Sequence, residues 1–223
     1  MRYNISGTTV QYLNIELDPG ESVYCDTGYL VSKSASVVMS PRLVGGILGA
    51  IKREITGATG FLTVFEAKGD RGLLTVSNDL PGKIIAIELN EGESIVLEDR
   101  AFLLATSNVS FNTQRVSLSA AFFTNTGLFL QKFNGPGVVF AHIVGDLIEH
   151  DLKEGDEIQI DPGHLAGFTP SLSYTVSTVG NIRSALFGGV GIFLMSFRGN
   201  GKLLLHSISR YKLTADILGS GNK

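Results

Sequence analysis

Hydrophobic and polar residues alternate in short runs along this chain, and one such run occurs three times. Each copy begins at a glycine followed by an acidic residue: Gly20-Glu21, Gly92-Glu93 and Gly155-Asp156. The fifth position after the glycine is apolar, the sixth is acidic and the tenth is apolar in all three copies. Alternation with period two predicts β-strands, and the fixed order of motifs predicts three internal repeats.

A second motif, Phe-Leu-x-x-Phe, follows later in each repeat. Its copies begin at Phe61, Phe129 and Phe193. In a strand, the two phenylalanines of each copy share one face, and we expect that face to be core rather than a ligand pocket because few polar groups accompany it. Glycine-bounded turns follow two copies, at 135–137 and 199–201, and predict β-hairpins.

An apolar-acid-apolar element precedes each Gly-acid turn and returns once more near the end of the sequence. Its acidic residues are Glu16, Glu88, Asp151 and Asp216. Four copies around three repeats predict a closed ring. We therefore expect an all-β fold of antiparallel strands with pseudo-threefold symmetry, closing into a barrel with at most short helices. We expect residues 1–223 to form one globular unit, with repeats at approximately 10–88, 89–151 and 152–218.

Composition narrows the class of protein. The 223 residues are 43% hydrophobic and only 17% charged, so a sizeable core can form and a homo-oligomer is expected. A net charge of -3 disfavours nucleic acid as a partner. A single cysteine, Cys25, excludes an intrachain disulfide. The sequence shows no secretory signal and no apolar run of about 20 residues. We therefore predict a cytoplasmic location.

The repeated acidic residues are candidates for chemistry. Catalytic acid/base work needs two carboxylates in unlike environments, whereas repetition gives them like ones. We interpret them as caps of turns and as charges that keep strand edges from pairing. The alternative is that one set converges on the symmetry axis as an oxygen site for a cation such as Ca²⁺.

Two histidines stand at equivalent positions, five residues after a glycine. They are His142 and His206, and the first repeat has Ser77 there. They are weak candidates for a metal site, because a third ligand is missing from the pattern. No nucleophile elbow, phosphate-binding loop or dinucleotide motif is present, so we expect no catalytic residues and no cofactor.

The repeats disagree most clearly at an insertion in the first one. Its apolar residues follow helical spacing and are followed by two basic residues: Leu43, Val44, Ile47, Leu48, Ile51, Lys52 and Arg53. We expect either a helical plug on the open end of the barrel or an interaction surface. That surface would meet another subunit, a protein partner or the face of a membrane.

The whole chain resembles the uncharacterised bacterial and archaeal family related to the fungal "altered inheritance of mitochondria" proteins. The residues that carry the resemblance are 20–23, the insertion from Gly45 to Arg53, 61–65 and 135–137. The resemblance implies a double-stranded β-helix like that of the tryptophan RNA-binding attenuation protein (TRAP). It implies no established enzymatic activity, cofactor or ligand. Mitochondrial members of the family are associated with organisation of the inner membrane.

These observations favour a non-enzymatic scaffold or interaction protein that self-associates. The TRAP-like fold suggests an RNA- or small-ligand-binding module instead, although no repeated lysine or arginine accompanies the repeated acids. A metal-dependent enzyme of the double-stranded β-helix kind, using His142 and His206, is a further alternative. Attachment to the periphery of a membrane through residues 43–53 is another.

Overall fold

The structure, a computed structural model, describes residues 1–43, 61–115, 128–179, 192–209 and 212–213. These residues form nineteen β-strands in four antiparallel sheets. The helical elements with defined bounds in this part of the chain are three single-turn 3-10 helices, at Thr27–Tyr29, Asp99–Ala101 and Pro162–His164. The prediction of an all-β protein with at most short helices is confirmed.

The strands fall into three consecutive groups. The first comprises β1 (Arg2–Ser6), β2 (Tyr12–Leu17), β3 (Ser22–Cys25), β4 (Leu30–Lys33), β5 (Val37–Leu43), β6 (Phe61–Ala67) and β7 (Gly72–Ser77). The second comprises β8 (Gly82–Leu89), β9 (Ser94–Glu98), β10 (Phe102–Thr106), β11 (Ser110–Arg115), β12 (Phe129–Asn134) and β13 (Gly137–Val144). The third comprises β14 (Leu147–Leu152), β15 (Glu157–Ile160), β16 (Leu165–Phe168), β17 (Ser173–Val179), β18 (Ile192–Arg198) and β19 (Gly201–His206).

Strand pairing recurs from one group to the next. The long pairs are β2 with β7, β8 with β13, and β14 with β19, and their registers match. Leu17 lies opposite Gly72, as Leu89 lies opposite Gly137 and Leu152 opposite Gly201. These registers define counterpart positions in the three groups.

Two further pairings join the groups to one another. Strand β3 of the first group pairs with β10 of the second, and β9 of the second pairs with β16 of the third. Two six-stranded sheets result, in the orders β5-β6-β3-β10-β13-β8 and β11-β12-β9-β16-β19-β14. The ends of the chain form two smaller sheets, β1-β2-β7-β4 and β15-β18-β17.

The predicted hairpins at the glycine-bounded turns are wrong. Strands β12 and β13, on either side of 135–137, belong to different sheets. Both edges of β12 are occupied by β9 and β11, and both edges of β13 by β8 and β10. The turn therefore carries the chain from one sheet to another, as the turns before β7 and β19 also do.

The core lies between these sheets. Phe65, Phe133 and Phe197 are fully buried and Phe129 is buried, so the prediction that the repeated phenylalanines form core is confirmed for these four. The side chains of Phe61 and Phe193 lie outside the described residues. The neighbouring leucines at positions 62 and 130 are also buried, although they point to the opposite face of the strand. Both faces of these strands are therefore covered.

Short parallel bridges link the beginnings of the groups. Val10 bridges to Gly82, and Gly82 bridges to Gly145. A Cβ atom at position 82 would overlap the carbonyl oxygen of Ile143, so the close approach requires glycine. In the described part of the chain no pairing returns from the third group to the first, so the expected closure is not observed there. The fourth copy of the apolar-acid-apolar element, at 215–217, lies outside the described residues.

Candidate interaction sites

The repeated acids of the Gly-acid turns cap their own turns. The backbone N–H of Asp18 donates to Glu21 Oε2, that of Asn90 to Glu93 Oε2 and that of Lys153 to Asp156 Oδ2, each at 2.8 Å. A carboxylate that accepts from the residue three positions earlier satisfies a turn donor locally. The interpretation of these three acids as turn caps is confirmed.

The acids six residues after each glycine cap the 3-10 turns. Asp26 accepts from the backbone N–H of Gly28 at 3.0 Å, Glu98 from Arg100 at 3.0 Å and Asp161 from Gly163 at 2.9 Å. Three bonds of one kind at counterpart positions explain the repetition without invoking catalysis. Among the residues that the structure describes, no group of three or more His, Cys, Asp or Glu side chains could hold a metal ion.

The two histidines proposed as metal ligands are core residues. His142 and His206 are each 1% exposed. The backbone N–H of Val144 donates to Nδ1 of His206 at 3.0 Å, so that nitrogen is an acceptor and the proton lies on Nε2. His164 donates from Nδ1 to the carbonyl oxygen of His206 at 2.8 Å. At the third position, Ser77 Oγ donates to the carbonyl oxygen of Gln11 at 3.2 Å.

The insertion predicted as an interaction surface lies almost entirely outside the described residues. Leu43 ends β5 and Phe61 begins its partner β6, so residues 44–60 connect two antiparallel neighbours. The prediction for Val44, Ile47, Leu48, Ile51, Lys52 and Arg53 stays a prediction. No helix in the described ranges is long and apolar enough to cross a membrane.

The single cysteine lies in the core on β3, where this strand pairs with β6 and β10. Cys25 is fully buried. Removal of the thiolate from water, together with the nearby carboxylate of Asp26, raises the pKa of the Cys25 thiol to about 12. The thiol is therefore protonated at neutral pH, the form that is a poor nucleophile.

A groove of about 780 Å³ runs between the second and third groups of strands. Its apolar wall includes Ile85 and Ile87 of β8, Leu147 of β14 and Leu204 of β19. Three carboxylates also line it: Glu88, Glu93 and Glu149. The pKa of Lys202, at the same groove, is raised because its ammonium group donates to Glu149 at 2.9 Å. Sequence patterns did not indicate this groove, because it forms between strands that are distant along the chain.

The fold thus defines an all-β protein built from recurring strand pairs, with acids that cap turns and histidines that pack in the core. The family model described as mitochondrial biogenesis AIM24 matches residues 3–208. This match covers most of the chain, and the protein belongs to that family. The resemblance inferred from the sequence is confirmed.

Two streptococcal proteins are similar over nearly the whole chain. The uncharacterized protein M6_Spy0233 of Streptococcus pyogenes serotype M6 is 28% identical over 219 residues, which cover 94% of this chain and 86% of the relative. The crystal structure of protein SPYM3_0169 from Streptococcus pyogenes superposes with a TM-score of 0.81 at 24% identity. That alignment covers 98% of this chain and 99% of the other, and it shows the same fold.

Proposed function

We propose that this protein is a non-enzymatic scaffold that self-associates end to end. Its three groups of strands would be TRAP-like repeats of a double-stranded β-helix, joined by the pairing of β3 with β10 and of β9 with β16. Each of these two pairings is a joint between neighbouring groups. A third joint of the same kind would pair β15 with β4. In the described residues β15 pairs with β18 alone and β4 with β7 alone, so each strand has one open edge.

The exposure of counterpart residues supports this assignment. A β-bulge interrupts the register at Val31, at Leu103 and at Ala166 in the three groups. Leu103 and Ala166 directly precede Leu104 and Gly167, which pair with a strand of the neighbouring group, and both are fully buried. Val31 lies at the open edge and is 61% exposed. An apolar residue that is buried at two joints and exposed at the third marks a surface that a further strand would cover.

Strand β15 of the third group shows the same difference from its counterparts. Residues 23–25 of β3 and 95–98 of β9 are buried throughout. In β15, the counterpart strand, Gln159 is exposed and Ile158 is half-buried. Strand β15 of one copy would therefore pair with β4 of the next. Such a head-to-tail interface produces a ring if the rotation closes and a filament if it does not.

Light scattering coupled to gel filtration tests the proposal. At micromolar concentration we expect a mass of several chains for the wild type and of one chain for Val31→Glu, because a charge at the joint would be buried without a partner. Leu73→Glu is the matched control, since Leu73 is 55% exposed on the central strand β7. It should leave the mass unchanged. A wild-type protein that is monomeric throughout would overturn the proposal.

Cross-linking separates pairing between copies from closure within one chain. By analogy with Ala105 opposite Tyr24, Lys33 would lie opposite Gln159. Directly paired residues are close enough for a disulfide. Mixed Lys33→Cys and Gln159→Cys single variants should form a covalent dimer on oxidation, whereas Lys68→Cys should not replace Lys33→Cys. A bond that forms solely within the double variant would show closure inside one chain and contradict assembly through these edges.

A further inference from the structure

The groove between the second and third groups has a filled counterpart between the first and second. There, strand β1 lies along the outer edge of β2, with Arg2 opposite Glu16 and Tyr3 opposite Ile15. The ring of Tyr3 contacts Phe140 of β13 edge to face, with ring centroids 4.8 Å apart. The counterparts of β2 and Phe140 are β8 and Leu204, which both line the open groove.

The outer edge of β8 carries no strand in the described part of the chain. The N–H of Ile84 on this edge donates to the side chain of Gln11 at 2.7 Å. Alternate residues of a strand direct their backbone groups to the same edge, so Ala86 and Glu88 also direct their N–H and C=O groups outward. An extended segment could accept and donate at both residues, as β1 does at β2.

The charges of the groove match those of its filled counterpart. The guanidinium of Arg2 donates to Glu16 Oε2 through two nitrogens, at 3.1 and 2.8 Å. The ammonium group of Met1 forms an ion pair with Glu21, which lowers the pKa of that carboxyl. Glu88 and Glu93 occupy the corresponding positions beside the groove. With Glu149 they outnumber Lys202 among the charged residues that line it, so the groove favours a cation.

We propose that this groove binds an extended peptide of a partner protein, which adds antiparallel to β8. The peptide carries a basic residue opposite Glu88, an aromatic or large aliphatic residue opposite Ile87 and against Leu204, and a further apolar residue opposite Ile85. Main-chain hydrogen bonds to the edge of β8 supply affinity, and the groove and its acids supply selectivity. This binding site is separate from the β4 and β15 edges and does not depend on assembly through them.

The probe is the hexapeptide MRYNIS, which has the sequence of β1, labelled at its carboxyl end and titrated with the full chain in a fluorescence polarisation assay. We expect saturable binding that weakens at high salt. Glu88→Lys should weaken it by tenfold or more, and Glu88→Gln by less. Glu91→Lys is the matched control, because Glu91 is an exposed acid that does not line the groove. It should leave binding within about twofold of the wild type.

Two altered peptides separate the contributions. MEYNIS, with the charge reversed, and MRYPIS, without the backbone N–H at the residue opposite Ala86, should each bind at least tenfold more weakly. A flat isotherm with the wild type would overturn the proposal, because another part of the chain would then occupy the edge. Binding that Glu88→Lys leaves unchanged would also overturn it, since the peptide would then be replacing β1 on the outer edge of β2.

Discussion

Tyr3 and Phe140 meet edge to face, with ring centroids 4.8 Å apart and ring planes at 81°, although β1 and β13 belong to different groups of strands. Phe140 is fully buried, and Tyr3 retains 39% exposure. The contact ties the first strand of the chain to the second group. It also shows that a side chain on a strand paired to the outer edge of one group can contact a core residue of the next group.

Replacement of Tyr3 should weaken this contact between the first and second groups. Tyr3→Ala removes an aromatic pair and the apolar area that covers Phe140, and we expect the free energy of unfolding to fall by roughly 2 kcal/mol. Tyr12→Ala is the control, because Tyr12 is 40% exposed and lies in β2 without an aromatic contact among the described residues. It should cost less than about 1 kcal/mol. Urea denaturation measures both, and equal losses would contradict a specific role for the pair.

The close approach at Gly82 should be intolerant of a side chain. In Gly82→Ala, the added methyl group would overlap the carbonyl oxygen of Ile143 and lie 2.9 Å from Nε2 of His142. We expect a loss of roughly 2 to 3 kcal/mol, because the backbone at the bridge must move. The control is Gly28→Ala, where the nearest neighbouring atom would be Asp26 Oδ1 at 3.6 Å. A thermal melt should show a lower midpoint for the first variant and little change for the second.

The strand content and the turn caps could be predicted from sequence, because both depend on residues close together in the chain. Period-two alternation identifies β-strands wherever one side is buried. The acids at positions 21, 93 and 156 bond to backbone groups three residues earlier, which is a local interaction. The repetition of these acids therefore indicated correctly that their carboxylates cap turns.

The pairing of strands could not be predicted, because it depends on which edges are already occupied. A glycine-bounded turn between two strands is typical of a hairpin, yet β12 and β13 each have two other partners. The predicted repeat boundaries, after residues 88 and 151, stay a prediction; these residues lie in β8 and β14. The Gly-acid motif that begins each repeat is a turn between two strands of one group. The groove and the open edges arise from pairing between groups and have no local signal.

Burial should make Cys25 inert toward alkylation. Only the thiolate reacts, and a folded-state pKa of about 12 keeps the thiol protonated at pH 8. We expect no modification by iodoacetamide in the folded protein and complete modification in denaturant, as measured by mass spectrometry. Because this pKa is raised, the folded thiol keeps its proton while the unfolded thiol loses it, so alkaline conditions favour unfolding. Rapid modification of the folded protein at pH 8 would show that the joint between β3 and β10 opens.

Removal of a turn cap should cost stability in proportion to the lost hydrogen bond. In Asp156→Ala the backbone N–H of Lys153 loses its acceptor at 2.8 Å, and we expect the free energy of unfolding to fall by about 1 kcal/mol. Asp156→Asn keeps an oxygen at that position and should retain most of the stability. Glu154→Ala, two positions earlier in the same turn and without a hydrogen bond among those described, should change the free energy of unfolding by less than about 0.5 kcal/mol. If Asp156→Asn proved as damaging as Asp156→Ala, the carboxylate would be acting through its charge rather than as a cap. The turn before β15 would then owe its stability to electrostatics, and the loss would shrink in high salt.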